Sequence, residues 1–138
     1  MFEITEFDVK GDHRGSLISL EIGSQVPFEI KRVYYIYGTT QNTSRGFHAH
    51  KNLKQLVVAV SGSCEFILDD GSDREHVTLA SPNVGLYIAG NIWREMHNFS
   101  HDCVLMVLAS SIYDERDYIR DYGAFREEVN NVSSTRGY

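Results

Sequence analysis

Arg45-Gly-Phe-His-Ala-His-Lys-Asn-Leu-Lys-Gln-Leu-Val-Val-Ala-Val-Ser-Gly62 is the stretch on which the reading of the chain turns. His48 and His50 stand one residue apart. Side chains alternate along a strand, so both imidazoles point to the same face, roughly 6.5–7 Å apart along the backbone. Four residues separate His50 from Gln55, and six separate Gln55 from Gly62 at a turn signal. The apolar run between them reads as a second strand, so the stretch is a strand pair carrying two histidines on one face.

A second stretch, Tyr87-Ile-Ala-Gly-Asn-Ile-Trp-Arg-Glu-Met-His-Asn98, completes the pattern. Together the two resemble the paired motifs of the cupins, small jelly-roll β-barrels. The first motif reads G, five residues, HxH, three or four residues, E, six residues, G. The second reads P-x-G-x-x-H-x-x-x-N. In metal-binding cupins the two His, the Glu and the later His hold a metal. Here Gln55 takes the Glu position, Gly90 the glycine position, and Trp93 the position of the third His. His97 lies four residues further on, in another register. A transition metal requires three or four convergent ligands. The expectation is therefore no metal and no cofactor, with His48 and His50 as acid–base groups or substrate contacts.

The 138 residues suit one domain, and 42% hydrophobic with 23% charged residues is ordinary for a globular chain. A formal charge of −6 argues against general nucleic-acid binding. No apolar run approaches the ~18 residues of a membrane span. The first residues, Met1 to Val9, are acidic and alternating, unlike a signal peptide, which makes a cytoplasmic protein the expectation. Cys64 and Cys103 lie in apolar stretches and read as reduced, buried thiols.

Strand signals recur at short intervals: 2–8, 16–21, 28–37, 46–51, 55–60, 63–69, 76–79, 85–88, 95–99 and 103–109. From Asp114 the period changes, and Tyr118, Ile119, Tyr122 and Phe125 fall at helical spacing. Gly123 weakens a continuous helix, so one or two short turns are expected, with a frayed end over 130–138. The fold expected is all-β: a single-domain jelly-roll barrel over 1–138 with a short C-terminal helical segment.

Three clusters carry chemistry. Histidine suits proton transfer near neutral pH, which makes His48 and His50 the first. Tyr35 and Tyr37 are the second: alternation places them on one face with Val33, opposite Tyr34 and Ile36. Phenols buried there need polar partners. Cations are the third: Arg45, Lys51, Arg14 and Arg32 lie near the expected mouth, where an arginine fork suits a diphosphate. Trp93 and Arg94 are candidates for the pocket wall.

The chain resembles the sugar 3,4-ketoisomerases that act on dTDP-4-keto-6-deoxyglucose. The resemblance is carried by Arg32-Val-Tyr-Tyr-Ile-Tyr37, Arg45-Gly-Phe-His-Ala-His-Lys51, Gln55 to Gly62, Gly85-Leu-Tyr-Ile88 with Ile92-Trp-Arg-Glu95, Val107-Leu-Ala-Ser110, and Tyr113-Asp-Glu-Arg-Asp-Tyr-Ile-Arg-Asp-Tyr122. It implies a metal-free isomerase, homodimeric through exchanged β-strands, that makes precursors of 3-amino-3,6-dideoxy sugars. It implies catalysis by His48 and His50, and binding roles for Tyr35, Tyr37 and Arg45. The reaction then has His50 as principal base at C3, His48 assisting, and Tyr37 or the second histidine donating to the enediolate oxygen. Residues 2–8 are the expected exchanged strand.

Overall fold

The computed structural model describes residues 1–136, with side chains to 132. Two five-stranded antiparallel sheets form the barrel walls. One is ordered β1 (Phe2–Glu6), β9 (Val84–Ala89), β6 (Lys54–Ser61), β11 (Val104–Ala109) and β4 (Arg32–Ile36). The other is ordered β12 (Tyr118–Ile119), β5 (Arg45–His50), β10 (Trp93–His97), β7 (Cys64–Asp69) and β8 (Arg74–Leu79). A separate exposed hairpin pairs β2 (Lys10–Asp12) with β3 (Gly15–Leu17). A 3-10 turn, Glu115–Asp117, leads into β12, and α1 (Tyr122–Arg136) ends the described chain. This is the all-β jelly-roll architecture expected, with its C-terminal helix.

Alternation explains where each strand's residues go. Val57 and Ala59 of β6 enter the space between the sheets, with Phe66, Leu68, Leu86, Ile88, Leu105 and Val107. The intervening Leu56 and Val58 face outward, but Phe7, Val26 and Phe28 cover them. Hence β6 reads as a continuous apolar run, as strands buried on both faces do. Ala49 and Trp93, on the outer face of the second sheet, are covered by Ile119 and Phe125. Cys64 and Cys103 are free and buried, and burial pushes the Cys64 thiol up to about 12.

Three expectations changed. The apolar residues of 18–30 do not extend strands. Ile18, Leu20, Val26, Phe28 and Ile30 instead pack over the first sheet, satisfying an alternating pattern without a ladder. Tyr118 and Ile119 pair with His50 and Ala49 as β12 instead of beginning a helix. The helix is also longer than foreseen, running 15 residues from Tyr122 and through most of the segment expected to fray. Gly123 lies in its first turn, where backbone N–H groups have no intrahelical partner, so its cost is small. Residues 137 and 138 lie outside the described residues.

β1 pairs with β9 of its own chain, from Phe2↔Ile88 to Glu6↔Val84. The element left unpaired with either large sheet is the β2–β3 hairpin.

Candidate active site

One end of the barrel interior is polar, and the same alternation builds it. Along β4, Arg32, Tyr34 and Ile36 turn inward, while Val33, Tyr35 and Tyr37 are 54%, 65% and 71% exposed. Along β5, His48 and His50 face in and Ala49 faces α1. Along β6 the inward sequence runs Gln55, Val57, Ala59; along β10 it runs Arg94, Met96. Polarity thus falls from the mouth toward the apolar floor.

A bulge aims His48. Arg94 pairs with His48, but Met96 pairs with Arg45, so β5 carries one extra residue against β10. Gly46 sits there at φ 84°, with Met96 packed where a Cβ would lie. Only glycine combines that backbone with that close approach.

The imidazoles of His48 and His50 meet edge to face, ring centroids 4.8 Å apart. The Tyr118 ring lies 5.1 Å from His48 and 4.3 Å from His50. His50 Nδ1 is 3.2 Å from Asp117 Oδ2. An ionised carboxylate only accepts hydrogen bonds, so Nδ1 carries the proton and Nε2 keeps its lone pair. That Nε2 is buried without a hydrogen-bond partner. Burial first, then the Arg94 charge, pushes His48 down to about 3 and His50 down to about 2. Both are neutral proton acceptors at physiological pH.

The cation responsible is fully buried. Arg94 gives one guanidinium nitrogen to Gln55 Oε1 and the other to the Ile92 carbonyl at 3.0 Å. Gln55 Nε2 donates to the Tyr34 hydroxyl at 2.9 Å. Tyr34, having accepted, retains its own proton to donate, and burial raises its pKa and keeps it protonated. The Gln-for-Glu change now has a physical meaning. A carboxylate at 55 would pair with Arg94 and cancel its charge, whereas an amide holds the guanidinium and leaves the field intact. Arginine is no metal ligand. Among the described residues no three His, Cys, Asp or Glu side chains lie together as a metal site requires.

A cleft of about 510 Å³ opens over this end, lined by Arg32, Tyr34 to Tyr37, Arg45, Gly46, His48, Met96, Tyr118 and Arg120. A smaller cavity of about 210 Å³ lies beside it, lined by Arg32, His50, Asn52, Ser111, Asp114, Asp117 and Tyr118, among others. His48 borders the first and His50 the second.

Of the side chains singled out in the sequence, His48, Arg32, Arg45, Tyr35 and Tyr37 border the cleft, the two tyrosines from its outer rim. His50 lines the smaller cavity, Arg94 is buried, and three others border neither space. Trp93 is 3% exposed on the opposite face of β10, packed on Tyr122 and Phe125, its indole N–H on Glu95. Lys51 follows the end of β5 and borders a different depression with Met1 and Glu128. Arg14 sits on the exposed hairpin, bonded to Asp12. Sequence reasoning missed Tyr34, Tyr118, Asp117 and Arg120 as site residues. Tyr34 was legible as the inward partner of Tyr35 had the parity of β4 been known; the others come from a segment read as helical.

Fold and site together define a cupin-type barrel whose mouth offers neutral histidines beside a buried cation. The family described as FdtA: WxcM-like, C-terminal matches residues 1–130, and the chain belongs to it. The TDP-4-oxo-6-deoxy-alpha-D-glucose-3,4-oxoisomerase of Aneurinibacillus thermoaerophilus is 53% identical over 122 residues, 88% of each chain. A crystal structure of a 3,4-ketoisomerase from Helicobacter canadensis superposes with TM-score 0.92 at 52% identity, covering 94% of this chain and 97% of that one. A histidine-to-asparagine mutant of the 3,4-ketoisomerase QdtA from Thermoanaerobacterium thermosaccharolyticum, in complex with TDP-4-keto-6-deoxyglucose, gives TM-score 0.92 at 39% identity over 94% of both chains.

Proposed function

We propose that this protein is a TDP-4-keto-6-deoxyglucose 3,4-ketoisomerase, an isomerase that moves the keto group from C4 to C3. The observation that carries the reading is the neutral histidine pair under a cleft of about 510 Å³, in a chain 53% identical to a 3,4-oxoisomerase. The C4 ketone acidifies the hydrogen at C3. A histidine removes that proton, and the electron pair left on C3 becomes an enediolate. The C4 oxygen is protonated, the C3 hydroxyl loses its proton, and C4 receives a proton as the C3 carbonyl forms. No electron enters or leaves.

The geometry supports a different division of roles from the one expected. His48 borders the substrate-sized cleft and His50 does not, which favours His48 as the group acting directly on C3. Tyr34 is better placed than Tyr37 to donate to the enediolate oxygen, because it is inward and its hydroxyl proton is free. Charge forming there is also met by Arg94. The field that disfavours an imidazolium is then balanced by the new oxyanion, so the ion pair is tolerated. Arg45, Arg32, Tyr35 and Tyr37 are placed to hold the nucleotide diphosphate and sugar at the rim.

The reading includes a cytoplasmic homodimer. No helix among the described residues is long and apolar enough to cross a membrane. The exposed β2–β3 hairpin, with Arg14 at its turn and Leu17 59% exposed, is the element suited to exchange with a second copy. Incubation with TDP-4-keto-6-deoxyglucose in deuterated buffer, read by proton NMR, tests the activity. A 3-keto product with deuterium at C4 is expected. Exchange at C3 and C5 with the ketone retained at C4 would identify a 3,5-epimerase instead. Binding without exchange would identify a sugar-nucleotide-binding protein.

A further inference from the structure

The bulge in β5 does more than aim His48. With His48 and His50 inward, unbroken alternation would put Gly46 inward and turn Arg45 outward with Phe47 and Ala49. Instead Arg45 borders the cleft together with Gly46. Arg45 pairs with Met96, an inward residue of β10, and residues directly opposite in an antiparallel pair share a face. The extra residue therefore reverses the parity of the strand, and that reversal brings the cation into the site. Ser44 consequently emerges on the outer face.

There it meets His97. Along β10, Trp93, Glu95 and His97 alternate outward while Arg94 and Met96 face in. His97 Nδ1 is 2.6 Å from Ser44 Oγ, and the ring meets Phe47 edge to face with centroids 5.7 Å apart. His97 thus touches the chain on both sides of the bulge. Its own direction is fixed from behind. His97 Nε2 is 2.9 Å from Glu95 Oε1, and Glu95 Oε2 accepts from the Trp93 indole at 2.9 Å, with Arg74 3.8 Å away. An ionised carboxylate only accepts, so Nε2 carries the proton and Nδ1 accepts from the Ser44 hydroxyl.

We propose that His97 is a positioning residue for substrate binding: by clasping Ser44 and Phe47 across the bulge, it keeps Arg45 turned into the cleft. The inference rests on the ketoisomerase reading, in which Arg45 meets the nucleotide diphosphate. Gly46 permits the bulge without choosing it, because glycine also accepts the backbone of a regular ladder, in which Arg45 points away. The clasp on the outer face favours the bulged form. His97 is not among the residues lining the cleft, so it acts on the ligand through Arg45. His48 stays in register with Arg94 beyond the bulge, so loss of the clasp falls on binding and not on proton transfer.

Calorimetric titration with TDP and steady-state kinetics with TDP-4-keto-6-deoxyglucose test this. His97→Phe keeps a ring against Phe47 and loses both hydrogen bonds. It is expected to raise the TDP Kd and the substrate KM about tenfold, with kcat within about twofold of wild type. Ser44→Ala, at an exposed position, is expected to raise both about threefold, and Ser44→Thr, which retains the hydroxyl, to restore them. In an Arg45→Gln background His97→Phe is expected to add nothing further, because the residue it positions is gone. Wild-type TDP affinity in His97→Phe, or in Ser44→Ala should His97→Phe fail to fold, overturns the proposal. So does a His97→Phe effect that is undiminished without Arg45. A wild-type protein that neither binds TDP nor isomerises overturns the functional reading instead. A crystal structure of Ser44→Ala, which needs no ligand, then decides the positioning role: Arg45 turned out of the cleft supports it, and Arg45 still facing the cleft overturns it.

Discussion

The barrel has histidines on both sides of its second sheet, and their surroundings differ in kind. Outside, His76 lies 2.9 Å from Glu65 and His97 lies 2.9 Å from Glu95, near water and against carboxylates. The hydrogen bond from His76 holds the Glu65 carboxyl below its usual range. Inside, His48 and His50 share their space with a fully buried arginine that is bonded to an amide and a carbonyl. The His76–Glu65 pair is exposed and worth little to stability, while the His97–Glu95 pair is half-buried beside Trp93 and Arg74. The inner pair is held in its neutral form by burial and a fixed cation. The residue type is the same throughout, and enclosure with the neighbouring charge decides what each imidazole can do.

The largest expected effect is on rate. His48→Asn should lower kcat for isomerisation by about 10²–10⁴-fold, measured with C3 exchange by NMR. A variant that exchanges C3 at the wild-type rate would break the contrast between inner and outer histidines. Next is Trp93→Ala. Because Trp93 packs beneath α1 and not in the cleft, the change should cost about 3–5 kcal/mol in denaturant unfolding, with KM nearly unchanged in the folded protein. A KM effect without a stability effect would return Trp93 to the substrate wall.

Acid should then separate the two sets. The folded-state values of His48 and His50 lie far below the unfolded value of about 6.5. Between those limits the unfolded chain binds more protons, so stability is complete above pH 6.5 and falls as pH drops toward 3. At pH 5 the loss is about 2 kcal/mol per histidine, at ~1.4 kcal/mol per pH unit below 6.5. Arg94→Gln should reduce that slope by raising both imidazoles, as histidine NMR titrations in the two proteins would show. An unchanged titration would remove Arg94 as the cause. Smallest is His76→Asn, expected within ±0.5 kcal/mol in stability and unchanged in kcat.

Much of the fold was legible because alternation is a local property. The histidine strand follows from a period-2 pattern, and the apolar strand after it from a continuous run bounded by a turn signal. The stretch after Asp114 was misread because Tyr118, Ile119, Tyr122 and Phe125 suit a helix and a strand–turn–helix equally. Pairing of Tyr118 with His50 chose the second. The tyrosines of β4 show the same limit from the other side. Alternation correctly set Tyr35 and Tyr37 against Tyr34, but a strand has two faces, and nothing within it says which is interior.

By itself the sequence determined that His48 and His50 share a face and that the Glu and third His of a metal-binding cupin are replaced. It also placed Gln55 and Trp93 at two of the four positions where a metal-binding cupin carries its ligands. These follow from residue identity and backbone period alone. Only the tertiary structure decided that Arg94 lies opposite His48, that Asp117 holds His50, and that the two histidines open onto separate spaces. Those relations join residues dozens of positions apart. They exist once the second sheet brings β10 to one side of β5 and β12 to the other, where burial gives each charge a reach that water would have screened.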